Sequence, residues 1–211
     1  MTEAQPAADD PDPGRDGAAT PRGNASALIG EQVRRARQDK GLSLSALSEM
    51  ADVSLGAISN LERGASSPSI RTLLSVTGAL GISLGDLFSS IDDVASSRRA
   101  FVVRRFERPK LSFWRTGIAK ELLTNLGQVE IELFMLTIEP GGSTGEAYTH
   151  RGQEAGFVLE GELRLTVESE TVVLQAGDSF GFRSHRPHSF SNPTDSPARV
   201  LWINTGNHKE V

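Results

Sequence analysis

The sequence predicts an α + β protein of two domains, all-helical in its first half and all-β in its second. Between Leu28 and Phe88, apolar residues recur at three- and four-residue intervals in short runs parted by Gly and Ser, which fits five short helices. From Phe101 the period falls to two, and Gly- or Pro-containing turns come at regular intervals, as in an antiparallel sandwich or barrel. A length of 211 residues accommodates two small domains, each with its own core.

Residues 1–25 hold five acids, two bases and many Pro, Ala and Gly, the composition of a disordered acidic tail. Leu28, Ile29, Val33 and Ala36 form the inner stripe of a first helix, which Gly41 ends. Ser43 caps a second helix with Leu44, Leu47 and Met50/Ala51 along one face, and the chain breaks at Asp52-Val53. Ser54 caps a third helix that turns Ile58 and Leu61 inward and stops at Gly64, a residue free to take positive φ. After the loop Ser66-Ser67-Pro68, Ser69 caps a fourth helix with Ile70, Leu73, Leu74, Thr77 and Leu80 inward, closed by Gly81. Ser83 opens a short last helix carrying Leu84, Leu87 and Phe88. The domain spans 26–90, and the polar stretch 91–108 suits a linker or a helix running on into the next domain.

The second and third helices, joined by so tight a turn, fit a helix-turn-helix as well as an ordinary pair of core helices. In a helix-turn-helix the first helix crosses the phosphate backbone and the second enters the major groove. With Ile58 and Leu61 in the core, Leu55, Gly56, Ser59 and Asn60 are left on the outer face. Asn60 suits a bidentate pair with adenine and Leu55 a thymine methyl. Ser54, Ser59 and Arg63 suit phosphates or bases, and Ser43 is a further candidate contact. Residues 26–90 carry six acids and six bases, with Arg34, Arg35, Arg37 and Lys40 bunched on one helix. Non-specific attraction to phosphates is then modest, so occupancy relies on base contacts and on a dimer.

Leu44 to Phe88, with A-L-S-E-M-A-D-V-S, I-S-N-L-E-R-G, S-P-S-I-R-T-L and A-L-G-I-S-L-G-D-L-F, resembles the Xre-type, lambda-repressor-like helix-turn-helix of phage repressors and bacterial regulators. The resemblance implies that Ser54, Leu55, Gly56, Ser59 and Asn60 face an operator. Glutamines common in that family at the base-reading positions are replaced here by Leu55 and Gly56, so the operator is this chain's own.

The absence of cysteine excludes disulfides, zinc fingers and thiol catalysis. No apolar run approaches the roughly 20 residues of a membrane span, and the acidic start lacks the pattern of a signal peptide. The expectation is a cytoplasmic protein without membrane contact.

The β half reads as strands at FVVRRF, VEIELFMLTIE, FVLEGELRLTVES, TVVLQ, SFGF, HSFSN and RVLWINT, with turns at Pro140-Gly141-Gly142, Glu160-Gly161, Ala176-Gly177-Asp178 and Asn192-Pro193. Leu163, Leu165 and Val167 alternate with Glu162, Arg164, Thr166 and Glu168, a strand with one wet face. Arg115 to Gly127 fits a helix or a strand with a loop.

Only four histidines occur. Because residues two apart share a face of a strand, His150 and Glu154 can point into one barrel, with His188 from a facing strand. Two imidazoles and a carboxylate leave coordination positions open, which suits iron(II) and equally zinc, manganese or nickel. His185 reads as a rim residue, His208 as exposed, and Trp114, Arg115, Arg183 and Trp202 as cavity lining or core.

The runs Y-T-H-R-G-Q-E-A-G-F-V-L-E-G-E-L, A-G-D-S-F and R-P-H-S-F resemble the two motifs of the cupin fold, a double-stranded β-helix or jelly roll, within a domain at 109–211. That family offers His-x-His-x-x-x-Glu and a later His as metal ligands. His150, Glu154 and His188 match three of them, while Tyr148 stands at the fourth and is a poor neutral ligand, so the resemblance implies a three-ligand site.

A helix-turn-helix followed by one cupin resembles small-molecule-responsive bacterial regulators. The resemblance implies a homodimer on double-stranded DNA with an inverted-repeat operator, and an effector bound near Tyr148, His150, Glu154 and His188. The alternative is a metal-dependent oxygenase or epoxidase-type enzyme carrying a helix-turn-helix, as iron epoxidases of this architecture exist. A third reading makes the cupin a dimerisation module only.

Overall fold

The structure, a computed structural model, describes residues 22–65, 68–89, 101–113, 115–124, 129 and 131–206. Residues 1–21 of the tail, Ser66 and Ser67, Ser90 at the end of the first domain, residues 91–100 of the linker, Trp114, residues 125–127 and His208 lie outside the described residues, as does the side chain of Phe88.

The N-terminal unit consists of α1 Arg22–Asp39, α2 Leu44–Ala51, α3 Leu55–Glu62, α4 Ile70–Leu80 and α5 Asp86–Ser89. Helix α1 begins four residues ahead of residue 26. The serines that the sequence marks as caps do cap. Ser43 Oγ accepts the Ala46 N–H at 3.0 Å, Ser54 Oγ that of Ala57 at 3.3 Å and Ser69 Oγ that of Thr72 at 3.0 Å. Ser83 and Asp86 cap α5 reciprocally, with Ser83 Oγ accepting the Asp86 N–H and Asp86 Oδ2 accepting the Ser83 N–H. The α2–α3 turn is made by Asp52 in the left-handed region at φ 50°, one of the few residue types that tolerates it.

Val33, Leu47, Ile58, Leu61, Leu73, Val76, Leu80 and Leu87 form the helical core. Gly64 stops α3 at φ +64°, and a Cβ there would lie 2.6 Å from the Cα of Ala27, so α1 and the end of α3 approach too closely for any side chain. One ion pair locks the same contact. Arg37 Nε and Nη2 donate to the two oxygens of Glu62 at 2.6 and 2.9 Å, and Nη1 donates to the Leu42 carbonyl at 2.7 Å. Arg37 is thereby withdrawn from the basic cluster expected on α1.

Among the described residues the second unit has nine strands, all paired antiparallel: β1 Lys110–Phe113, β2 Ile118–Leu122, β3 Glu132–Ile138, β4 Gln153–Glu160, β5 Glu162–Val167, β6 Glu170–Gln175, β7 Ser179–Arg183, β8 His188–Ser191 and β9 Ala198–Thr205. A six-stranded sheet in the order β1-β2-β3-β9-β4-β7 accompanies a three-stranded sheet β6-β5-β8. Single bridges Ser143–Ser191 and Tyr148–His188 add the segment before β4 to the outer side of β8. Phe134, Leu136, Ile138, Val158, Leu163, Val200 and Trp202 fill the interior.

Two expectations resolve differently. FVVRRF is no strand: Glu107 accepts the Arg104 N–H and closes a turn of 3-10 helix over Arg105–Glu107, and the first strand begins at Lys110. Arg115 to Gly127 takes the strand alternative as β2, with Ile118, Lys120 and Leu122 facing inward.

Polar contacts join the two units. The Gly85 N–H, at the start of α5, donates to Glu132 Oε1 of β3 at 2.8 Å, and Arg71 of α4 pairs with Glu146.

Candidate functional site

Two places collect the candidate residues. On α3, Leu55, Gly56, Asn60 and Arg63 are exposed and Ser59 is half-buried, while Ile58 and Leu61 are wholly inside. Leu55 exposes 51% of its surface, a large apolar side chain on the outer face. Asn60 Oδ1 accepts from Arg63 Nη2 at 2.7 Å, so the free protein holds these two side chains together on the outer face. Ser43 and Ser54 spend their hydroxyl oxygens as caps and stand at the N-termini of α2 and α3, where backbone N–H groups favour an anion.

In the barrel, His150, Glu154 and His188 converge, with one ligand atom from each lying within 4.8 Å of the others. The route differs from strand alternation. His150 precedes β4, its N–H bonded to the Ser184 carbonyl, and Gly152 at φ +100° turns the chain before Glu154 enters the strand. The histidine is brought in by a bend rather than by the pleat. His188 opens β8, and two backbone bonds tie it to Tyr148 at 2.9 and 3.0 Å.

Hydrogen bonds orient both rings. His150 Nδ1 donates to the Arg151 carbonyl and His188 Nδ1 to the Arg186 carbonyl, each at 2.8 Å. In the neutral tautomers both Nε2 lone pairs then point at Glu154. His150 Nε2 contacts Glu154 Oε1, and His188 Nε2 lies 3.6 Å from the same oxygen, buried and without a hydrogen-bond partner. Trp202 Nε1 donates to Glu154 Oε2 at 3.2 Å, leaving Oε1 for the centre. Two lone pairs and a carboxylate aimed at one point fit a cation, either a proton or a divalent metal.

The ionisation of these groups follows from their setting. Burial disfavours charge on His150, but the hydrogen bond and field of Glu154 outweigh it and raise the imidazole above its ordinary value. Burial works against the Glu154 carboxylate in the same way, and His150 overcomes it, holding Glu154 below its ordinary value. His188 is lowered, chiefly by burial. The Tyr148 phenol is raised well above its ordinary value by burial and by the carboxylate of Glu154, so it stays neutral and unsuited to coordination. Its ring instead packs edge-on against His188 at 4.3 Å.

Lys120 escaped the sequence reading. It is 3% exposed, its Nζ stands 5.2 Å from the centre of the Phe134 ring, and burial lowers its pKa against the fields of Glu154 and Glu132. Its signal was present, since Lys120 shares a strand face with Ile118 and Leu122. Glu132 and Asn204 are also buried, and the register places Glu132, Asn204 and Glu154 opposite one another across β3, β9 and β4. His185, Arg115 and Arg183 are exposed, and Trp202 is core.

A cleft of about 400 Å³ separates the units beside this centre. Leu74, Thr77, Gly81 and Ile82 line it from the helical side, and Thr149, His150 and Arg151 from the barrel side. His150 thus faces the barrel centre and borders the helical domain.

Comparison with known proteins agrees with both halves. A helix-turn-helix family model matches residues 33–87 and a cupin domain model residues 134–204. The HTH-type transcriptional regulator PuuR of Escherichia coli (strain K12) is 32% identical over 178 residues, covering 83% of this chain and 94% of that protein. The HTH-type transcriptional regulator SutR of the same organism is 24% identical over 177 residues, covering 80% of this chain and 89% of the other. The crystal structure of an HTH_3 family transcriptional regulator from Vibrio cholerae superposes with a TM-score of 0.70 at 25% identity, covering 88% of this chain and 98% of that one. Both domains align together, in one order.

Proposed function

The chain belongs to the helix-turn-helix transcriptional regulators that carry a C-terminal cupin domain, and from that premise we propose how it works. It binds an inverted-repeat operator as a homodimer, and a small molecule held in the cupin barrel sets the affinity. The DNA contacts are Ser43, Ser54, Leu55, Gly56, Ser59, Asn60 and Arg63; the effector meets Tyr148, His150, Glu154 and His188. His150, Glu154 and His188 hold a divalent metal, iron, zinc, manganese or nickel, whose open positions anchor the effector, and Tyr148 lines the site without coordinating. The protein acts in the cytoplasm, where its operator is. Residues 91–108 link the DNA-binding unit to the cupin at 109–211.

The observation that carries this reading is the position of His150. It belongs to the buried donor set and also lines the cleft against α4 and its C-terminal turn. A ligand that changes the packing of His150 therefore changes what the DNA-binding unit rests on. An effector alters operator affinity by its preference for one of two arrangements, commonly on the order of 1–3 kcal/mol. One recognition helix reads few base pairs, so two half-sites about a helical turn apart supply the specificity.

Selection of genomic fragments by the purified protein at near-physiological salt tests the reading. Enriched fragments sharing an inverted repeat are expected, and metal added to the metal-free protein should raise its melting temperature. Binding with no preference over bulk DNA would sink the regulator; an unmoved melting temperature would sink the metal centre.

A further inference from the structure

The two sheets of the barrel differ on their outer faces. On β5 and β8 of the three-stranded sheet the outward side chains are Glu162, Arg164, Thr166, Ser189 and Ser191, all polar, as expected of a face that meets water. In the middle of the six-stranded sheet that alternation fails. Two rows of outward side chains cross β3, β9 and β4 in register, Leu133–Ile203–Ala155 and Met135–Leu201–Phe157. The row between them, Phe134–Trp202–Gly156, is buried on the inner face. These strands are therefore apolar on both sides, the pattern of strands covered on both faces. Yet Phe157 exposes 42% of its surface, and the other five outward residues are half-buried.

Polar groups frame the apolar rows. The second row, followed to both edges of the sheet, reads Lys110–Glu121–Met135–Leu201–Phe157–Ser179. Lys110 and Glu121 form an ion pair at 3.2 Å on one flank. Beyond Phe157 along the strands, Arg199 Nη1 donates to Glu160 Oε1 at 2.8 Å. An apolar centre inside a polar rim is the anatomy of a protein interface. At about 16 Å² of sheet per residue, the strands present on the order of 600 Å² of flat face. Side-chain relief carries that toward the roughly 800 Å² that each partner of a stable pair buries. The centre holds no charge for a partner of opposite charge to match, whereas a two-fold related copy presents the same apolar area to it.

We propose that the outer face of β3, β9 and β4 is the surface on which a second copy of this chain packs, sheet on sheet, with Met135, Leu201 and Phe157 at its centre. This rests on the homodimer proposed above and gives it a surface.

The test uses the full-length protein. Sedimentation across a concentration series should show a monomer–dimer equilibrium, and Phe157→Arg should weaken it about a hundredfold, through a lost anchor and a buried unpaired charge. Arg164→Glu, on the outer face of the small sheet, should leave it unchanged. A second readout does not depend on that variant. The chain has no cysteine, so one introduced thiol reports on one place. Met135→Cys should react with a maleimide about tenfold more slowly in the dimer than after dilution to monomer, because an interface core is packed like an interior. Arg164→Cys should react equally in both. A dimer that survives Phe157→Arg, or a Met135→Cys thiol that reacts freely within the dimer, would overturn this surface and leave the homodimer standing. A thiol protected in a monomer would mean that the chain covers the face itself, and would overturn the second copy as its occupant. A wild type that stays monomeric at every concentration and on DNA would overturn the homodimer and this inference with it.

Discussion

The helical unit and the barrel use their interiors differently. Among the described residues, the only buried polar side chains of the helical unit are Thr77 and Ser83, and each answers a local backbone need. Thr77 donates to the Leu74 carbonyl, and Ser83 caps α5. The barrel buries Lys120, Glu132, Glu154, Ser184, His188 and Asn204. An apolar interior holds a surface in shape, here the outer face of α3. A charged interior is expensive to assemble, and such groups are where function is expected to reside. The helical unit carries its candidate residues on its outside and the barrel carries its own inside.

That contrast can be broken by mutation. Ile58→Ala should have the largest effect, because it empties a fully buried position behind the DNA-facing helix. A loss of about 4 kcal/mol is expected for such a truncation. Calorimetry should show the helical transition falling while the barrel transition stays; a loss below about 1 kcal/mol would mean the core collapses easily around the site.

Glu62→Ala should cost about 2 kcal/mol, since it leaves the half-buried Arg37 guanidinium with the Leu42 carbonyl in place of a two-oxygen partner. Denaturant midpoints measure it, and Glu62→Ala combined with Arg37→Met should recover much of the loss.

Asn60→Ala should leave stability within about 0.5 kcal/mol, as expected of an exposed site, yet weaken operator binding by about 2 kcal/mol through the lost base contact. Unchanged binding to the selected operator would remove Asn60 from the reading residues.

Inside the barrel, Trp202→Phe keeps the ring packing and deletes the hydrogen bond to Glu154 Oε2. Loss of such an orienting partner should weaken metal binding about tenfold, seen by competition with a chelating dye. An unaltered affinity would show that Glu154 is placed by packing alone.

The smallest effect is that of pH. Glu154 outweighs burial and raises the His150 pKa, so a proton competes with a metal for Nε2 at higher pH than at an ordinary histidine. The competition grows as pH falls, by up to about tenfold per unit below the folded pKa. In the metal-free protein the sign reverses. A raised histidine pKa contributes stability that is complete below the unfolded value and is lost as pH rises through the folded one. Metal affinity measured at pH 8 and pH 6 should fall, and His150→Gln should flatten the dependence.

What was legible in the sequence was local. A capping serine acts on an N–H three residues away, so Ser43, Ser54 and Ser69 could be read before any fold was known. The inward set of α3 followed from helical period, and with it the outward set by subtraction. His150, Glu154 and His188 were legible because their spacing resembles a motif, although the expected reason, strand alternation, holds only for Glu154, within β4, and not for His150 ahead of Gly152.

What only the tertiary structure decided is long-range. Arg37 meets Glu62 across 25 residues, and nothing in either helix announces the pairing. Lys120 is buried because the fold covers the face of β2 that it shares with Ile118 and Leu122, and alternation along the strand does not say whether that face is wet. The row Glu132–Asn204–Glu154 exists only once β9 is inserted between β3 and β4, strands it follows in sequence by dozens of residues. Period and caps depend on neighbours along the chain; charge compensation depends on neighbours in space, and pairing in the folded sheet alone creates those.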